Sequence, residues 1–138
     1  MYHHIKKLMF TVRVDEPDPK FGNMLLEQFG GANGELKAAT MWFMQNGMAN
    51  PNNVGAGAHH YMHILGIVAL GSMWLMMAEA AQKALADGRG NKAFLEAKLV
   101  TARYFAERFL PDAGSLRRKI EAGSEAMMAL TPEQFAAA

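Results

Sequence analysis

The stretch ILGIVALGSMWLMMA, Ile64–Ala78, decides the fold. It is apolar on every side of a helix, and its flanks are His63 and Glu79. A helix that crosses a membrane needs roughly 20 apolar residues, and this run falls short, so it reads as the central helix of a bundle with no membrane partner. Gly66 and Gly71 within it would admit close neighbouring helices. A helix that is apolar nearly all round needs more cover than one small bundle gives, and a homo-oligomer, in the simplest case a dimer, is expected.

Outward from this run the helix extends over about Ala56–Ala86, between the turn-forming Asn50-Pro51-Asn52-Asn53-Val54-Gly55 and the break Asp87-Gly88-Arg89-Gly90. Upstream, a helix from about Ala32 to Gln45 places Leu36, Thr40, Phe43 and Gly47 on one stripe. A shorter helix, Pro19–Phe29, is started by Asp18-Pro19 and ended by Gly30-Gly31. Downstream, about Asn91–Leu110 carries Leu95, Leu99, Ala102, Ala106 and Phe109 on one face and stops at Pro111. A last helix aligns Leu116, Ile120, Gly123, Met127 and Leu130, with Arg117, Arg118, Glu121 and Glu125 on its wet side. Before Pro19, the alternation of Ile5, Leu8, Phe10, Val12 and Val14 predicts an extended arm.

The expected fold is therefore an all-α, up-and-down four-helix bundle with an extended N-terminal arm. It forms a single domain over residues 1–138, with 1–18 as the arm and 19–138 as the bundle. Twelve methionines are present, and Met41, Met44, Met62, Met73, Met76, Met77, Met127 and Met128 are expected on core faces, where flexible thioethers fill irregular gaps. A methionine-lined groove for a metal or a partner is the alternative.

The 138 residues carry 14 basic and 13 acidic side chains, a balance that gives no field to attract nucleic acid. Absence of cysteine removes disulfides and thiolate chemistry and fits a cytoplasmic chain without a secretion signal. Gly55-Ala56-Gly57 lacks the spacing of a dinucleotide fingerprint. The amides at that helix start could meet a pyrophosphate, or form an ordinary helix entry.

Histidines offer the remaining chemistry. His59 and His63 are spaced to share a helix face, and with a carboxylate from a neighbouring helix they make a ligand set suited to zinc, iron or manganese. The plainer alternative is that they are polar surface at the exposed or loop-proximal start of the helix.

Two resemblances bear on these residues. YHHIKKLMFTVRVDEPDPKFGNMLLEQFGGANGEL, Tyr2–Leu36, resembles the start of the manganese catalase family, within a segment of about residues 1–38. That resemblance implies that Glu35, in GGANGEL, is a metal-ligating glutamate, the candidate carboxylate for His59 and His63, in a protein acting on hydrogen peroxide. The family also uses Glu-x-x-His pairs, and none of the five histidines here has a glutamate three residues before it.

From about residue 39 to 137 the chain resembles the C-terminal helical domain of acyl-CoA dehydrogenases, through Ala39, Thr40, Trp42 and Met44, GIVALGSMW at Gly66–Trp74, and KLVTARYFAERFLP at Lys98–Pro111. This resemblance implies a helical module that packs or oligomerises without catalysis of its own, because the family's catalytic glutamate and main flavin-binding surfaces lie in other domains. The two resemblances meet in GELKAAT, inside one apolar helical register. A chimera of two helical parents is one reading of that seam, and a natural gene is the other.

Overall fold

The computed structural model describes residues 19–137, so the expected arm lies outside the described residues. The fold is an all-α up-and-down bundle. Its helices are α1 (Pro19–Asn46), α2 (Pro51–Ala86), α3 (Lys92–Arg108) and α4 (Asp112–Glu121), followed by a 3-10 turn at Ala126–Met128 and a terminal α5 (Pro132–Ala136).

The first correction to the sequence reading is that α1 is one continuous helix through Gly30-Gly31. Glycines there cost roughly 1 kcal/mol each against alanine in a helix interior. The cost is offset because Leu25, Leu26, Phe29, Ala32 and Ala39 bury one face of the same helix, and tertiary packing outweighs propensity. Gly31 and Gly34 lie on the outer side, where an added Cβ would meet nothing within 4 Å.

The second correction concerns α2, which begins at Pro51 within the expected loop. Asn50 takes an extended conformation and its side chain accepts from the Asn52 amide at 3.1 Å, while Pro51 occupies the first turn, where no amide is needed. Turn-forming residues here work as a helix start. Gly55 and Gly57 are consequently inside the helix, and their amides are not presented at its end.

α2 packs against α1, α3 and α4, and α1 also packs against α4 and α3. The stripe Ile64, Val68, Gly71, Leu75, Ala78 is the face that does this. Gly71 lies against Phe29 of α1 and Leu110 before α4, while Gly57 lies against Phe43 of α1 and Ile120 of α4. Those pairs place α3 and α4 end after end along one flank of α2, both antiparallel to it. The other three helices thus cover α2 on two flanks, and its remaining side is open.

The third correction is at the end of α4, which stops at Glu121 and does not continue to Leu130. Gly123 adopts φ +68°, a left-handed conformation suited to ending a helix, and Ser124 then turns inward. Met127 and Leu130 leave the helical register and are 69% and 54% exposed.

Candidate functional site

Three features on the α1–α2–α4 side are candidates for chemistry. The first is an ion-pair cluster. Arg117 of α4 donates through Nε to Glu35 of α1, and its Nη1 donates to both carboxylate oxygens of Glu121 at 2.7 Å. These contacts hold Arg117 protonated even more firmly than usual, the Glu121 hydrogen bond first and the Glu35 bond second. Gly114 lies beside Glu35. The sequence placed Arg117 and Glu121 together on the wet side of one helix, whereas Glu35 as a partner of Arg117 was not legible, because α1 and α4 meet only through tertiary packing.

The second feature is the histidine cluster at the start of α2. The rings of His59 and His63 are 4.5 Å apart, and those of His59 and His60 are 5.4 Å apart. His59 and His63 are exposed. The structure therefore brings the expected histidine pair together, but Glu35 is engaged by Arg117. Among the described residues no three His, Cys, Asp or Glu side chains are grouped to hold a metal ion. As arranged, the residues do not fit a dimetal centre.

Half-buried His60 has its pKa lowered, first by burial and then by the charges of Lys119, His59 and His63. With the folded-state value below the unfolded one, the unfolded chain takes up the proton first as the pH falls. The contribution to stability is complete above the ordinary histidine value of 6.5 and is lost below it. His60→Gln is expected to reduce the loss of stability between about pH 7.5 and about pH 5.5. Chemical denaturation at both pH values checks this; a variant profile parallel to the parent's would place the acid sensitivity elsewhere.

The third feature is a pair of clefts. An apolar cleft of about 320 Å³ opens between α1 and α2, lined by Phe43, Met44, Val54, Tyr61, Met62 and Leu65. Thr40 closes it with a hydroxyl that donates to the Leu36 carbonyl at 2.8 Å, so the Tyr61 hydroxyl, 2.9 Å away, is the donor to Thr40. A more polar cleft of about 730 Å³ adjoins the end of α4. Asn53 lines it, and its Oδ1 accepts from Ser124 N at 3.0 Å and Ser124 Oγ at 2.8 Å. Asn53 Nδ2 donates to the Asn46 carbonyl at 3.3 Å, so the asparagines tie three helix ends together.

The expectation that the methionines fill the core is overturned. Met41, Met44, Met62, Met73, Met76, Met77, Met127 and Met128 are all exposed. The physical reason is that alanines and glycines at the helix contacts bring the helices close, leaving no gaps for thioethers to fill. Phe109 is likewise exposed despite its place in the expected α3 stripe.

This arrangement can be set beside known proteins. A model of the family described as acetyl-CoA dehydrogenase C-terminal like matches residues 5–131. The chain belongs to that family. The family match runs across the seam near residue 38, so both sides of GELKAAT fall within it.

The N-terminal resemblance also has support. A protein of Clostridium acetobutylicum named "Probable manganese catalase" is 42% identical over 48 residues, which is 33% of this chain and 21% of that protein. The chain therefore spans a small part of that relative's length. Membership in the acetyl-CoA dehydrogenase C-terminal-like family accounts for nearly the whole chain.

Proposed function

We propose that this chain is a non-catalytic helical packing module, whose open α2 face seats against another protein surface. One observation carries the reading. α2 presents Met62, Leu65, Leu70, Met73, Met76 and Met77 outward, each at least 38% exposed. Only 33% of its most apolar 18-residue window is buried. By length and composition α2 also qualifies as a membrane-crossing helix, but one face is already committed to the other helices of the bundle.

A second reading, manganese-dependent action on peroxide, is favoured by the 48-residue resemblance to the clostridial protein. It would use Glu35, His59 and His63, and it would require Glu35 to leave Arg117. Metal content separates the two readings. Protein loaded with manganese, iron or zinc and then desalted is expected to retain less than about a tenth of an ion per chain, since two exposed imidazoles alone make a weak site. Retention of one or two ions, lost in Glu35→Ala, would overturn the packing reading and call for peroxide assays.

A further inference from the structure

We propose that the open face of α2 docks a second copy of this chain, antiparallel about a two-fold axis near Ala69, with Met76 of each copy in the α1–α2 cleft of the other. The inference rests on the packing-module reading and names its partner.

The face has the pattern of a helix–helix seam. Ala58, Met62, Leu65, Ala69 and Met76 follow steps of four, three, four and seven, which keep them on one stripe. No charged residue interrupts the helix between His63 and Glu79, as suits the centre of an interface. Ser72 carries the only hydroxyl in that interval and donates it to the Ala69 carbonyl at 2.6 Å, so docking strands no hydroxyl there.

Shape identifies the occupant as another copy. The cleft takes its α2 wall from Val54, Ala58, Tyr61, Met62 and Leu65, toward the start of the helix. The protruding thioethers Met73, Met76 and Met77 lie toward its end. Cleft and protrusions are nearly equidistant from the middle of α2, where Gly66 and Ala69 present little bulk. An added Cβ on Gly66 would meet nothing within 4 Å, so packing inside this chain does not require a glycine there. A two-fold axis at the middle brings each hollow opposite a knob, the self-complementarity of an isologous dimer.

Area agrees. The exposed parts of Met62, Leu65, Leu70, Met73, Met76 and Met77 come to on the order of 600 Å², against roughly 800 Å² per partner in a standard interface. The cleft rim and Met44 of α1 would supply further contact area.

The test uses the full chain, whose lack of cysteine makes single-cysteine probes unambiguous. Sedimentation should give a dimer at micromolar concentration. Ala69→Cys should oxidise to a covalent dimer. Gly55→Cys on the same helix should not, because antiparallel packing puts its symmetry mate about 40 Å away, by the helical rise. Met76→Glu should weaken the dimer at least about a hundredfold with unchanged helical content, because Met76 is outside the core.

A monomer would overturn the proposal. If it retains no metal, the packing reading survives with a different partner; if it retains one or two ions that Glu35→Ala loses, the packing reading fails together with the dimer. Efficient Gly55→Cys crosslinking would mean a parallel contact and overturn the geometry. Binding to neutral phosphatidylcholine vesicles in place of dimerisation would make lipid the occupant and overturn the proposal.

Discussion

Phe29→Ala is expected to cost about 3–5 kcal/mol of folding stability, a large share of what a domain of this size possesses. Phe29 is 1% exposed, and its ring edge lies against Gly71, beside Leu110. It therefore joins α1, α2 and the α3–α4 corner at one point. Removing the ring leaves a void that glycine cannot fill. Small residues across the core bring the helix backbones together, so little side-chain slack exists nearby for collapse. Thermal denaturation at fixed protein concentration should show a fall of more than about 10 °C. Met73→Ala, on the open face and 50% exposed, should change monomer stability by less than about 0.5 kcal/mol. A Phe29 loss below about 1 kcal/mol would mean that the three helices do not converge on this ring.

That contrast between Phe29 and Met73 also marks what the sequence could and could not reveal. Helix class was legible because Leu36, Thr40, Phe43 and Gly47, or Leu99, Ala102 and Ala106, repeat at a spacing that strands do not use. Which apolar face is inside was not legible for α2, where Val68 and Met73 are equally apolar and only the neighbours decide. Punctuation misled in both directions. Gly30-Gly31 looked like a stop but lies in a helix held by buried neighbours, and Asn50-Pro51 looked like a loop but caps and starts one. At the far end, Met127 and Leu130 fit the helical register, yet Gly123 ends α4 because Asn53, distant in sequence, captures Ser124.

The candidate site divides in the same way. Adjacency of His59 and His63 follows from local helical geometry and was legible. Engagement of Glu35 by Arg117 depends on how α1 meets α4, and a resemblance over the N-terminal third contains no information about α4. The family match spans both α1 and α4, but the contact between them is read from the structure alone.

Gly57→Leu is the second large effect, expected to cost about 2–3 kcal/mol despite exchanging glycine for a better helix former. A Cβ at position 57 would stand 2.6 Å from Phe43 Cζ and 3.2 Å from Ile120 Cγ2. The Phe43 ring is flanked by Trp42 and Tyr61, with centroids 5.6 and 5.3 Å away, which limits its retreat. Tyr61 is in turn tethered to Thr40, so displacement would propagate into the wall of the apolar cleft. The gain of roughly 0.8–1.0 kcal/mol from removing a helical glycine is smaller than the repacking cost of a whole leucine side chain in that corner. Gly66→Ala supplies the opposite case: the same propensity gain with nothing within 4 Å, and hence a monomer equally or more stable. Denaturant midpoints of the two variants should therefore move in opposite directions, or only the Gly57 variant should fall. Unchanged stability in Gly57→Leu would show that Phe43 swings away freely, and a cleft wall that mobile could not hold the thioether of a second copy in one place.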